Sequence, residues 1–250
     1  MKIIVAIKSV IDPNIRVKIK HDGTGIDSLH SKNVIDPFCE VALEEAIRMK
    51  ESGIAREVIV VCVGPNECDE QIRYSIALGA DRGIRIDGQK NLDPLYIAKA
   101  LRSIVEIEKP GLVILGKQSV DMDNGQTGQI LATLLNYAQG SVVSKIDKVE
   151  GGHIEVQREV DQGVRVVSLP LPAVITVDLK INEPRHASLN NIIKSKKSII
   201  SIYTLEQLSI FPKEHTQVIS VTLPPRRPSC ILLKDTKQLI ALLKKEVIHL

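Results

Sequence analysis

GLVILGKQSVDMDNGQTGQILATLL, residues 111–135, runs from an apolar pentapeptide through a polar loop into a helix-like segment. A short Val, Ile and Leu run bounded by turn residues reads as a buried strand, and the polar loop leads into what reads as the helix that follows it. Two further runs, IIVAI at 3–7 and VIVVCV at 58–63, are also followed by turn residues and then a longer helix-like segment. This alternation predicts an α/β protein with a parallel sheet wrapped by helices.

The intervening helices carry their own punctuation. DPFCEVALEEAIRMKESG (36–53) has Asp36 as N-cap, Pro37 at the first helical position and Gly53 beyond the end. Phe38, Val41, Ala42, Ala46 and Met49 share one face, with a Glu44–Arg48 pair expected outside it. PNECDEQIRYSIALGADRG (65–83) predicts a second helix ending near Gly79, and DPLYIAKALRSIVEIEKPG (93–111) a third that stops before Pro110. From about residue 140 the texture alternates polar and apolar through GGHIEVQREVDQGVRVVSLPLPAVITVDL, which reads as antiparallel or edge strands. Residues 183–197 read as a polar surface excursion, and LPPRRP (223–228) as a linker before a short amphipathic helix.

Composition narrows the chemistry. The chain has 250 residues, of which 44% are hydrophobic but only 2% aromatic, so the core is aliphatic and aromatic stacking on a ligand is not the main binding force. A net charge of +3 spread along the chain is no nucleic-acid stripe. Cys39, Cys62, Cys68 and Cys230 lack CxxC spacing and the histidines lack HExxH, so neither a metal site nor a disulfide framework is expected and a reducing compartment is the simplest setting. The five-residue apolar run near the start is too short for a signal peptide or a membrane span. No Ser lies in GxSxG, and no Cys, His and carboxylate set has a spacing that marks catalysis. No catalytic residue is therefore assigned.

The polar loop sits where open parallel sheets place ligands, outside the carboxyl end of a strand. A phosphate there would meet free helix N–H groups and the positive end of the helix dipole, with donors from Gln126 and Thr127 and close approach allowed by Gly125. A polar capping turn without ligand fits the same residues equally well. The P-loop and GxGxxG patterns are missing, and a calcium loop starting at Asp121 fails at Gly125 and Ala132. Asp121 and Asp123 would repel a phosphate, so its donors must come from residues 125–128.

Five stretches together resemble the beta subunit of electron-transfer flavoproteins: VAIKSVID (5–12), DPFCEVALEEAIRMKE (36–51), VGPNECDEQIRYSIALGADRGI (63–84), LGKQSVDMDNGQTGQILA (115–132) and REVDQGVRVVSLPLPAVITVDLKINEPRHASLNNIIKSKK (158–197). The resemblance implies a three-layer, mostly parallel sheet of adenine-nucleotide-binding, Rossmann-like type with a C-terminal extension. Residues 1–222 would form the nucleotide-binding domain, including a recognition loop at 183–197, and 223–250 an arm and helix packing on the partner subunit. It also implies a heterodimer with an alpha subunit that holds most of an FAD, while this chain binds AMP as a structural nucleotide.

By match to the family's motif, the cofactor contacts fall at Ala6, Asp36, Pro37, Phe38, Cys39 and Val63. They continue along the loop through Gly116, Lys117, Gln118, Ser119, Val120, Asp121, Met122, Asp123, Asn124, Gly125, Gln126 and Thr127. Phe38 is expected near the flavin. Leu189 would anchor in an apolar pocket of a dehydrogenase, with Lys194, Lys196 and Lys197 steering an acidic partner. Electrons would pass from donors such as acyl-CoA dehydrogenases to a quinone oxidoreductase, without nucleic acid or direct membrane insertion. The setting would be the cytoplasm of a bacterium, or the mitochondrial matrix in a eukaryote.

Three positions depart from the family pattern: Asp36 replaces an Asn, Gly125 stands where Asn is common, and Arg165 occupies a Glu position. That Glu pairs with a cation of the alpha subunit in the family, so Arg165 either abolishes the contact or requires an acid on the partner. Within the family, a bifurcating relative with a second FAD in place of AMP is the alternative. A stand-alone ATP-binding enzyme of related fold would want an SGG.DS-like loop, which KSVIDPN (8–14) lacks. A homodimeric nucleotide sensor would fold and bind nucleotide alone.

Overall fold

The computed structural model describes residues 1–27, 31–89, 92–213, 215–227 and 229–246. Strand β1 (Lys2–Ile7) is followed by the short β2 (Ser9–Ile11) and β3 (Asn33–Ile35), which pair antiparallel as a small separate ladder. Then come α1 (Pro37–Glu51), β4 (Glu57–Gly64), α2 (Asp69–Leu78), β5 (Arg82–Asp87), α3 (Pro94–Glu108), β6 (Leu112–Gly116) and α4 (Thr127–Leu135). The chain continues through β7 (Ala138–Glu150), β8 (His153–Val160), β9 (Gly163–Pro170), β10 (Ala173–Val177), α5 (Leu189–Ser195), β11 (Ile200–Thr204) and α6 (Thr236–Glu246).

Among the described residues nine strands form one sheet in the order β11-β5-β4-β1-β6-β10-β7-β8-β9, parallel from β11 through β7 and antiparallel from β7 to β9. Alternation along β1 divides the core. Ile3, Val5 and Ile7 pack with α1 and α2 on one face, while Ile4 and Ala6 pack with α3 and α4 on the other. Burial on both faces explains why the central strands are Val and Ile runs rather than half-polar ones.

Asp-Pro starts two of the helices by the same device. The Asp36 carboxylate accepts the Phe38 N–H at 2.9 Å, and that of Asp93 accepts the Leu95 N–H at 2.8 Å, with the proline at the first helical position. α3 ends at Lys109, which adopts a left-handed conformation before Pro110. A second compact unit consists of residues 19–26 and 218–250, in which Ile19 bridges Ile26, the Val221 N–H donates to Gly23 O, and α6 follows the irregular 218–233 stretch. Within the expected linker and arm, Pro228 and residues 247–250 lie outside the described residues.

Two expectations need correction. Residues 173–177 are not an edge: β10 lies between β6 and β7, parallel to both, and every one of its residues is buried. The alternating texture belongs to the antiparallel strands β8 and β9 that precede it in the chain. Glu44 is not on the solvent side of α1 but only 3% exposed, because Arg185 covers it as well as Arg48.

Candidate functional site

β1 leads to β4 and β5 on one side of the sheet, whereas β6 and β10 lie on the other. The direction of strand order therefore reverses between β1 and β6, which opens a crevice at their carboxyl ends. Ala6 and Leu115 are register partners at that point, and Gly116 ends β6 beside them. Of the residues singled out by sequence, Ala6, 36–39, Val63 and 116–127 all occur at or just beyond the carboxyl ends of β1, β3, β4 and β6 or in the turns leaving them.

A single carboxylate organises the crevice. Asp36 is fully buried; one oxygen caps α1 through Phe38 N–H, and the other accepts the Val120 N–H of the loop at 2.7 Å. Its own N–H donates to Lys8 O at 2.9 Å, so the end of β1, the start of α1 and the 116–127 loop meet on one residue. Burial pushes the Asp36 carboxyl above the usual carboxylate range, opposed by the two N–H donors. Cys39, one turn into α1, is buried and its thiol is pushed up to about 12, by burial and then by the Asp36 charge. Such a thiol is no nucleophile at neutral pH.

Gly116 is required by contact rather than by its backbone angle. A Cβ on it would lie 2.6 Å from Phe38 Cβ and 2.9 Å from Phe38 C, so β6 and the first turn of α1 touch backbone to backbone. Gly128 does the same for α4, where a Cβ would stand 2.3 Å from Cγ2 of the buried Thr176 on β10.

The loop's charged groups are each held by a partner. Lys8 Nζ donates to Asp121 Oδ1 at 2.7 Å and to Ser119 Oγ at 3.2 Å, and the Gln118 amide donates to Asp123. Lys117 Nζ pairs with Asp178 at 2.7 Å and lies 5.5 Å from the centre of the Phe38 ring. Burial works against the Asp178 charge, but the Lys117 bond and the Lys180 N–H hold its carboxyl below the usual range. The repulsion expected from Asp121 is offset by Lys8, whereas Asp123 keeps its negative charge and is only oriented by the neutral Gln118 amide; neither Lys8 nor Gln118 figured as a counterpart in the sequence reading. Lys8 directly follows the β1 run, and that placement was the available signal.

Helix α4 differs from α1 and α3 at its start. Gln126 is its N-cap but makes no side-chain cap bond, so the first turn keeps its N–H groups for another acceptor. Gly125 and Asp123 reach the turn with φ of 58° and 54°, and the Asp123 N–H closes the loop on Ser119 O at 2.9 Å. Short-range glycine contacts, an uncapped helix start and the pairing of Asp121 with Lys8 together suit the phosphate of a mononucleotide. Phe38 is only 8% exposed here, which fits its packing on α1 at least as well as contact with a ligand.

Leu189, Lys194 and Lys197 are elsewhere, on or just after α5, which packs on α2. Leu189 is 72% exposed and the three lysines are exposed. The stretch before it is strapped to α1: Arg185 Nε donates to Glu44 Oε2 at 2.8 Å and its Nη1 and Nη2 reach Glu51, while Asn182 Nδ2 donates to Val41 O and Glu45. Arg165 lies exposed on β9, in register with Arg158, and forms no ion pair among the described residues.

The sheet order and the crevice define a doubly wound, Rossmann-like α/β protein. Residues 25–207 match the family described as "Electron transfer flavoprotein domain". The chain is 44% identical to an electron transfer flavoprotein subunit beta of Bradyrhizobium diazoefficiens over 98% of both chains, and 44% identical to the mitochondrial one of Arabidopsis thaliana at the same coverage. The human subunit beta is 42% identical over 98% of this chain and 97% of its own. The chain belongs to the electron transfer flavoprotein family, as a beta subunit.

Proposed function

We propose that this beta subunit pairs with an alpha subunit to complete an FAD-containing electron carrier, holding one AMP in the crevice between β1 and β6. The observation that carries this reading is the uncapped start of α4 beside a loop whose Asp121 is paired with Lys8, in a chain of this family. AMP phosphate would accept from the first-turn N–H groups and from Gln126 and Thr127. The loop residues 116–125, together with Ala6, Asp36 to Cys39 and Val63, would enclose the rest. FAD, held mainly by the alpha subunit, supplies the redox chemistry when bound; this chain positions and shields it and does no bond-making of its own.

Reducing equivalents would come from dehydrogenases, such as those of acyl-CoA, docking at Leu189 with Lys194 and Lys197 beside it, and leave toward a quinone oxidoreductase. The arm from residue 223 would pack on the alpha subunit, for which the half-exposed Leu239, Ile240 and Leu243 of α6 supply an apolar stripe. No helix among the described residues is long and apolar enough to cross a membrane. Cytoplasm, or mitochondrial matrix in a eukaryote, is the proposed setting.

Co-expression with its alpha subunit, followed by extraction and chromatography of bound nucleotide, tests the reading. One FAD and one AMP per yellow heterodimer are expected. Two flavins and no AMP would replace it with the bifurcating type, and a colourless single chain turning over a nucleoside triphosphate would end it.

A further inference from the structure

Helix α5 has seven residues, far short of the length at which an isolated helix persists in water. Its start is capped by Ser188, whose Oγ accepts the Asn191 N–H at 3.3 Å. Its other restraints come from α2 beneath it. Asn191 Nδ2 donates to Ala77 O at 3.2 Å, and Arg73 Nη1 reaches three main-chain carbonyls, Ser195 O at 3.3 Å, Lys196 O at 3.1 Å and Ser198 O. These acceptors lie at the end of the helix and in the turn after it, where carbonyls have no partner within the helix.

Arg73 makes no ion pair among the described residues; its recorded bonds all go to this backbone, in a stretch that already carries Lys194, Lys196 and Lys197. A cation placed beside three others is held there by the negative end of the helix and by the two N–H groups of Nη1, which the three carbonyls share. With Ser195 buried against the support, the opposite side of α5 shows Leu189 at 72% and Ile193 at 53% exposure, one helical turn apart.

We infer that Arg73 is a positioning residue for partner docking: it fixes α5 on α2 so that Leu189 and Ile193 stand out as one apolar ridge. This rests on the docking reading of Leu189. Arg73 touches neither partner nor cofactor in this role. Its contribution is preorganisation, since an unfixed α5 must be ordered at each encounter of a short-lived complex.

The test uses the FAD-loaded heterodimer as electron acceptor for an acyl-CoA dehydrogenase kept reduced by its acyl-CoA substrate. Arg73→Met, which keeps the stem but not the donors, is expected to raise KM for the heterodimer about tenfold at unchanged kcat and flavin spectrum, with Arg73→Lys recovering part of the loss. Amides 192–198 should exchange faster with solvent while those of β1 and β4 keep their protection. In a Leu189→Ala background, Arg73→Met should add less than about twofold, because Leu189, the more exposed part of the ridge it positions, is already gone.

An unchanged KM in Arg73→Met, with KM raised in Leu189→Ala, overturns the positioning role and leaves the docking site standing. No effect of Leu189→Ala removes both. If the Arg73→Met heterodimer cannot be recovered, Asn191→Ala, which deletes the other α2 bond, decides: a KM rise of about threefold supports the inference and an unmoved KM refutes it.

Discussion

Gly116→Ala is the sharpest perturbation of the crevice. The added Cβ would meet Phe38 Cβ at 2.6 Å, its carbonyl carbon at 2.9 Å and its oxygen at 3.1 Å, all closer than an ordinary carbon contact. Two of these atoms are backbone, and the Phe38 N–H is bound at 2.9 Å to the fully buried Asp36, so the first turn of α1 has little freedom to retreat. Overpacking of this kind costs about 1–3 kcal/mol, and displacement of the Asp36 cap adds about 1 kcal/mol, giving a total near 3 kcal/mol. For a chain of this size that corresponds to a fall in Tm of roughly 6–12 °C.

The measurement is differential scanning calorimetry of the purified heterodimer, with bound nucleotide counted in the same preparation. AMP content should fall along with Tm, because the displaced turn carries residues 36–39. Gly25→Ala is the control: its Cβ meets nothing within 4 Å, and a change of less than about 0.5 kcal/mol is expected. A Tm within 2 °C of the parent at full nucleotide content for Gly116→Ala would refute the close-approach argument.

Three further outcomes follow from the same geometry. Thr127→Val should lower AMP retention several-fold while leaving flavin reduction unchanged, and equal nucleotide content in both proteins would count against the phosphate position. Glu108 is held at about 2, first by its Arg82 bonds and also by Lys2, against an ordinary 4.5. Its carboxylate thus adds up to about 3 kcal/mol that is present above pH 4.5 and lost as the pH falls toward 2, so Glu108→Gln should flatten acid denaturation in urea titrations at pH 3 and 7. Asp36 has the opposite sign: its carboxyl is raised, so the cost of its buried charge is relieved as the pH falls from neutral toward the ordinary carboxylate range. The stability of the parent minus that of Asp36→Asn should therefore grow as the pH falls from neutral to the ordinary carboxylate range at about pH 4, and a difference constant over that whole range would contradict the raised carboxyl.

What was legible in the sequence was whatever rests on local signals. β1, β4 and β6 are continuous apolar runs, and α1 and α3 announce themselves with Asp-Pro, because a buried carboxylate cap and a preset φ act within four residues. β5 escaped notice because RGIRID looks like a solvent-facing turn. Its Arg85 is 7% exposed because Asp87 in the same strand and Asp69 at the start of α2 neutralise it, and the pairing with Asp69 runs across elements, beyond any strand-length window of sequence. β11 is an edge strand with half-exposed residues and gave equally little signal. The crevice followed the same rule: the loop's polarity was visible, whereas the pairing of Lys8 with Asp121, 113 positions away, was not.

The two proposed functional regions share a construction that bears on how they respond to change. Both are short segments lying against the aliphatic core, and both are fixed by charged side chains bonded to backbone: Asp36 to the N–H groups of Phe38 and Val120, Arg73 to the carbonyls of Ser195, Lys196 and Ser198. Such bonds bury little apolar surface, so they contribute modestly to global stability, about 1–3 kcal/mol each, while defining position to within a hydrogen-bond length. The sheet, by contrast, draws its stability from residues buried deep in its two faces, such as Ile59, Ile84 and Ile114. Substitutions of the anchoring charges should thus degrade nucleotide retention or partner affinity while most of the fold survives, whereas truncations of those isoleucines should cost 2–5 kcal/mol and remove both functions together.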